Sequence, residues 1–100
     1  MKPFELTNAV KSDLKKIAIY THKEWGRNQR NVCIKQFDDT FHMLSDPPLA
    51  GKACDEIKTG YKKFPMGSRI IFYKAGSNSK ILIVRILHKK MDIERNLLTP

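Results

Sequence analysis

Two apolar runs in the second half of the chain dominate its hydrophobic pattern. They occupy residues 68–74 and 81–88, and both are short and rich in β-branched and aromatic side chains. Such runs favour strand over helix. The loop between them contains Gly76 and Asn78, which tolerate tight or left-handed turns. The pattern predicts an antiparallel hairpin with a longer loop. Since both of its faces are apolar, another part of the chain must cover at least one of them.

Two stretches in the first half of the chain repeat apolar residues with the period of a helix. The first contains Val10, Leu14, Ile17, Ala18, Thr21 and Trp25. The second contains Cys33, Ile34, Phe37, Phe41 and Leu44. Thr7 or Asn8 can cap the first helix, and Gly26 can end it. The second helix is predicted over residues 27–44, because Pro47 and Pro48 follow it closely. The first half therefore predicts a helical hairpin.

The remaining segments complete the predicted fold. Residues 4–7 alternate apolar and polar side chains and predict a short strand. Residues 61–64 predict another short strand, whereas residues 49–59 resemble a loop. A short turn or helix is predicted within residues 91–97. Segregated helices and consecutive strands indicate a single α+β domain over residues 1–100. We expect the helical hairpin to pack on one face of a small antiparallel sheet.

The last strand offers two faces to the helices. One face carries Leu82, Val84 and Ile86, and the other carries Ile81, Ile83, Arg85 and Leu87. Only the second face bears a charge, so we assign the first face to the helices. By the same argument, Arg69, Ile71 and Tyr73 are expected on the open face beside Arg85.

The net charge of +9, with a pI near 9.8, indicates an acidic partner such as nucleic acid or an acidic protein segment. No apolar run approaches the roughly 20 residues of a membrane span, and the N-terminus lacks an apolar signal core. We therefore expect a cytoplasmic protein without a membrane partner. Cys33 and Cys54 are expected to be reduced, partly buried thiols with a packing role. Trp25 is expected to pack in the core or at the end of the helical hairpin.

No metal, cofactor or nucleophile motif is present in the sequence. His22, His42 and His88 are scattered and have no ligand spacing with cysteine or carboxylate. The remaining candidate is a basic and aromatic cluster made of Tyr61, Lys62, Lys63, Arg69, Tyr73, Arg85, His88, Lys89, Lys90 and Arg95. Such a set can stabilise phosphate charge during RNA cleavage without a metal, or it can grip DNA phosphates. A solvated basic sheet face is the alternative interpretation.

Several segments, taken in order, resemble a known family. They are residues 54–57, 60–61, 68–73 and, above all, 85–92, which read CDEI, GY, SRIIFY and RILHKKMD. Together with the order of elements they resemble ParE-type toxins of the RelE/ParE superfamily. The resemblance implies a toxin without a catalytic site of its own. It would trap the cleaved-DNA intermediate of DNA gyrase, with the A subunit as the expected contact, and block replication. A ParD-like antitoxin with a flexible C-terminal segment would neutralise it.

The sister group of RelE-like toxins cuts mRNA on the ribosome. Lys62 and Arg69 match basic positions of that pattern, and Lys90 is near a third. The C-terminal aromatic residue of that group is missing, because residues 91–100 contain no Tyr, Phe, Trp or His. This departure favours gyrase poisoning and leaves a ribosome-dependent endoribonuclease as the alternative.

Two sets of contact residues are therefore expected. The residues expected to bind the target are Lys62, Arg69, Arg85, His88, Lys89, Lys90 and Arg95. The residues expected to bind the antitoxin lie on or beside the first helical stripe and are Lys15, Lys16, Lys23 and Trp25.

Overall fold

The computed structural model describes residues 3–45, 51–53, 59–76 and 80–88. In chain order the elements are β1 (Phe4–Leu6), α1 (Asn8–Trp25), α2 (Arg27–Leu44), β2 (Lys52–Ala53), β3 (Tyr61–Met66), β4 (Arg69–Ala75) and β5 (Ile81–His88). The α+β class with an N-terminal helical hairpin is thereby confirmed. The turn or helix expected within residues 91–97 lies outside the described residues.

Local chemistry explains where the two helices begin and end. The Thr7 hydroxyl accepts a hydrogen bond from the Val10 amide at 3.1 Å, which caps α1 at its N-terminus. A single residue, Gly26, separates the helices and adopts φ +90°, a conformation that favours glycine. Its amide donates to His22 in α1, and its carbonyl accepts from Arg30 in α2. One glycine thus closes the first helix and opens the second.

The five strands form one sheet in the order β1-β5-β4-β3-β2. Neighbouring strands are antiparallel except at one edge, where β1 runs parallel to β5 and Phe4 pairs with Ile81. The expected antiparallel sheet is therefore mixed at that edge. Strand β2 was not predicted, because its two residues are exposed and carry no alternating apolar pattern.

The main core lies between the helical hairpin and one face of the sheet. It contains Phe4, Val10, Ile17, Phe37, Phe41, Leu44, Ile71, Tyr73, Ile81, Ile83 and Ile86. A smaller cluster joins Tyr61, Phe72 and Leu87, with Ile70 and Val84 packed against it. The helices thus cover one face of the sheet, as predicted.

The predicted facing of β5 is wrong for Leu82 and Val84 and correct only for Ile86. Ile81 and Ile83 face the helices, while Val84 packs in the smaller cluster. The charge of Arg85 does not mark an open face, because its guanidinium pairs with Asp13 on α1.

The open face expected for Ile71, Tyr73 and Arg69 is also wrong, because these residues face the helices, and the guanidinium of Arg85 reaches the same side. Ile71 and Tyr73 lie in the main core, and Arg69 lines a groove against α1. A β-bulge adds a second change, because Phe72 pairs with Arg85 while Tyr73 pairs with Ile83. Beyond the bulge, Ile86 joins the main core and Leu87 joins the smaller cluster.

The corrected facing predicts how β5 responds to a buried charge. Ile83→Asp should unfold the domain, since an unpaired buried carboxylate costs several kcal/mol against a total stability of about 5–15 kcal/mol. Leu82→Asp introduces the same side chain at a half-buried position on the opposite face and should cost less. Thermal melting of both variants provides the comparison, and a lower melting temperature for Leu82→Asp would refute the facing.

A second constraint on packing is the approach of Tyr73 to Gly51. The Tyr73 side chain is buried, and its hydroxyl has no hydrogen bond in the described part of the chain. Burial raises the pKa of this hydroxyl. The nearby Gly51 backbone partly offsets the rise, although the two groups do not form a hydrogen bond. A Cβ at Gly51 would lie 2.7 Å from Tyr73 Cζ, closer than packed carbon atoms tolerate.

Gly51→Ala should therefore destabilise the domain by about 1–3 kcal/mol through overpacking. Tyr73→Phe should be nearly neutral or stabilising, because it removes a buried hydroxyl that lacks a partner. The double variant should recover part of the loss, since removing the hydroxyl relieves one of the close contacts. Urea unfolding of the three variants measures these differences, and strictly additive effects would contradict this packing.

Candidate functional site

A buried carboxylate on α1 holds the end of β5. Asp13 accepts hydrogen bonds from Arg85 Nε at 2.9 Å and from Arg85 Nη2 at 3.2 Å. It also accepts from the Ile86 amide at 3.1 Å. Asp13 is 8% exposed, so its charge depends on these three donors for the hydrogen bonds that water would otherwise make.

The β-bulge is held from the other side by the residue that caps α1. The Thr7 amide donates to the Ile83 carbonyl at 3.2 Å, and the Thr7 hydroxyl donates to the Val84 carbonyl at 2.9 Å. The same hydroxyl accepts from the α1 backbone, so one side chain joins the helix to the bulge. Three backbone groups of the irregular segment of β5 are therefore satisfied by Thr7, the cap of α1, and by Asp13 in its second turn.

The structure brings together some of the residues expected to bind the target. Arg69 and His88 are register partners at one end of the sheet. Arg85 lies near this end, but its guanidinium is turned towards Asp13. Its expected role as a target contact stays a prediction.

Lys62 lies elsewhere on the sheet. It is four residues from Met66, the residue that pairs with Arg69, which places it roughly 13 Å along the strand. Lys89, Lys90 and Arg95 lie outside the described residues, and the first two follow His88 directly in the sequence.

The residues expected to bind the antitoxin divide between two sides of α1. Lys15 and Lys23 line a shallow depression of about 350 Å³ on the outer side of the hairpin. Lys16 instead lines a depression between α1 and the sheet, near Arg69. Their role in antitoxin binding stays a prediction.

Trp25 does not pack in the core, so that alternative was wrong, whereas the other alternative, packing at the end of the hairpin, agrees with its contact with Tyr20. Its side chain is 65% exposed at the end of α1, and its ring meets the Tyr20 ring edge-to-face at 5.9 Å. Ile19, Val32 and Met43 are further exposed large apolar residues on the hairpin. The helical stripes did not reveal this surface, since three of these four residues lie off them.

A groove separates the helical hairpin from the turn between β3 and β4. Its larger section has a volume of about 620 Å³ and extends from Trp25 and Cys33 to Arg69 and His88. A second section of about 280 Å³ continues between α1 and β5 as far as Asp13. Sequence reasoning missed this groove, because its walls come from residues 17–37 and from residues 66–69 and 88, which are distant in the chain.

Residues 3–45, 51–53, 59–76 and 80–88 contain no cluster of His, Cys, Asp and Glu that could hold a metal ion. Cys33 is free and half-buried against the main core, as expected, whereas Cys54 lies outside the described residues. In the same part of the chain, no helix is long and apolar enough to cross a membrane.

The Asp13–Arg85 pair predicts strong coupling between two single substitutions. Asp13→Asn should destabilise the domain by about 3–5 kcal/mol, because it removes the charge that accepts two hydrogen bonds from the largely buried Arg85. Arg85→Gln should also destabilise it, and the double variant should cost clearly less than the sum. Urea unfolding of the complete cycle measures the coupling, and a coupling near zero would show that the pair does not act as a unit.

Comparison with known proteins shows which family this chain is similar to. Residues 4–93 match the family model described as the ParE toxin of the type II toxin–antitoxin system parDE. Toxin ParE1 of Mycobacterium tuberculosis (strain CDC 1551 / Oshkosh) is 35% identical over 92 residues, which cover 92% of this chain and 94% of the relative. Toxin ParE1 of Caulobacter vibrioides is 30% identical over 97 residues, covering 97% and 99% of the two chains. Toxin ParE of Escherichia coli is 26% identical over 97 residues, covering 97% and 94%.

Proposed function

Because the chain belongs to the ParE toxin family of type II toxin–antitoxin systems, we propose that it poisons DNA gyrase. It binds gyrase, with the A subunit as the main contact, while the enzyme holds its cleaved DNA, and it thereby blocks replication in the cytoplasm. A ParD-like antitoxin neutralises it. The family match over residues 4–93 is the observation that carries this proposal.

The positions of the basic residues support binding rather than catalysis. Metal-free cleavage of RNA needs an acid, a base and a cation that converge within hydrogen-bond reach of one phosphate. Lys62 lies roughly 13 Å along the sheet from the end that carries Arg69 and His88. The aromatic residue of RelE-like toxins is also missing from residues 91–100. The endoribonuclease therefore remains the alternative outcome of the test below.

The surface proposed to meet gyrase is the end of the sheet where β5 finishes. Arg69 and His88 pair there, and the sequence continues with Lys89 and Lys90, followed by Arg95. Lysine and arginine side chains form charge-assisted hydrogen bonds with phosphates. A complex of gyrase with DNA offers such phosphates next to a protein surface, so this basic end of the sheet suits a target made of protein and DNA.

The surface proposed to meet the antitoxin is the outer side of the helical hairpin. Lys15 and Lys23 flank the exposed Ile19 there, and Trp25 follows at the end of α1. An acidic amphipathic segment that folds on binding would cover the apolar side chains and pair with the lysines.

The basic end can be tested by removing its charges. The triple variant Lys89→Gln, Lys90→Gln and Arg95→Gln should lose most of its inhibition of gyrase, because it loses three phosphate contacts and little apolar area. Purified protein is incubated with gyrase and supercoiled plasmid, and linear plasmid is measured as the trapped product. A matched control changes Lys11, Lys35 and Lys52, which are exposed elsewhere, to Gln.

The control variant should keep wild-type inhibition, and both variants should still bind the antitoxin. If the triple variant of Lys89, Lys90 and Arg95 still inhibits gyrase at wild-type concentrations, the surface that binds gyrase lies elsewhere. A parallel incubation with translating ribosomes and mRNA tests the alternative, since cut message without linear plasmid would identify an endoribonuclease.

A further inference from the structure

The two sections of the groove form one continuous depression on the helix side of the sheet. Ile17, Tyr20, Arg69 and His88 line both sections. One wall is the helical hairpin, and the other is the turn after β3 together with the adjoining ends of β4 and β5. Among the described residues, none closes over this groove, so an extended ligand can lie in it.

The narrower section of the groove is positively charged. Lys16 and Arg69 line it, and neither has an ion-pair partner within the part of the chain that the structure describes. Asp13 is the only carboxylate among its described lining residues, and Arg85 neutralises it. The local field therefore favours an anion, in line with the net charge of +9.

The wider section carries two exposed aromatic rings. Tyr20 is 51% exposed and Trp25 is 65% exposed, although large aromatic side chains such as these are usually buried to a greater extent. Tyr20 belongs to both sections and follows Lys16 by four residues on α1. Residues with this spacing lie about 5–6 Å apart at their Cβ atoms. An aromatic surface and a cation are thus within reach of one nucleotide.

We propose that this groove binds single-stranded nucleic acid, with bases stacked on Trp25 and Tyr20 and phosphates held by Lys16 and Arg69. A positive groove with aromatic platforms is the usual arrangement for binding single strands without sequence preference. A peptide with only acidic side chains would use the cations but not the aromatic faces, whereas a nucleotide uses both, so the combination favours nucleic acid. The inference deepens the proposed function, on which its biological meaning rests, because a cleaved DNA intermediate presents phosphates and unstacked bases at the break.

Trp25 makes the proposal directly measurable, since it is the only tryptophan in the chain. Titration of the full chain with a short oligothymidylate should quench its fluorescence to saturation. The logarithm of the binding constant should fall linearly with the logarithm of salt concentration, with a slope of about −0.7 per phosphate neutralised.

Two variants test the assigned contacts. Lys16→Gln with Arg69→Gln should reduce the magnitude of the salt slope by about 1.4, since two contacts at about 0.7 each are lost. Tyr20→Ala should weaken binding about tenfold through lost stacking. The matched control, Lys11→Gln with Lys35→Gln, removes two charges outside the groove and should leave the slope nearly unchanged. Far-UV circular dichroism confirms that every variant is folded.

The absence of quenching would overturn the proposal, and so would an equal slope change in the control. Polyglutamate that quenches Trp25 at least as strongly as oligothymidylate would also overturn it, in favour of an acidic peptide groove. Failure of DNA binding with gyrase inhibition intact would refute the groove assignment alone. If the unmodified protein binds DNA but does not inhibit gyrase, the proposed function is refuted instead.

Discussion

The buried carboxylate of Asp13 is the constraint on which the rest of the structure depends. A charge in this position is tolerated only because Arg85 and the Ile86 amide supply three hydrogen bonds. The Ile86 amide reaches the helix because the β-bulge precedes it, and Thr7 satisfies the carbonyls on the other side of that bulge. One carboxylate and one capping hydroxyl therefore set the position of α1 against β5, and with it the shape of the groove between them.

This arrangement also decides which charges remain available for partners. Arg85 is directed inwards to Asp13, so the basic character of the groove comes from Lys16 and Arg69. The exposed rings of Tyr20 and Trp25 lie beside these cations, where folding has left them uncovered. The groove thus combines cations with aromatic rings, whereas the depression on the outer side of the hairpin combines cations with the aliphatic Ile19.

The sequence was sufficient to predict the helices and the hairpin, because their apolar periods and caps are local signals. The sequence did not predict the facing of β5 correctly. The alternation of side chains along a strand reveals neither the bulge nor the partner of Arg85. A usable signal was nevertheless present. Asp13 lies three residues after Val10 and four before Ile17, within the apolar stripe of α1, and Arg85 interrupts an apolar strand. One carboxylate and one guanidinium at otherwise buried positions indicate a pair. The groove had no comparable signal, because its walls are distant in sequence.

The shared position of Trp25 connects the two proposed partners. An antitoxin that covers the hairpin and reaches the end of α1 would remove the larger aromatic platform from the groove. Base stacking on Trp25 and antitoxin contact with the same face of its ring exclude one another, because a ring face accommodates only one partner. Lys16 and Arg69 lie on the sheet side of α1, away from the depression that contains Lys15 and Lys23. An antitoxin limited to the outer side would therefore weaken nucleic acid binding without blocking the phosphate contacts, whereas one that continues into the groove would block both.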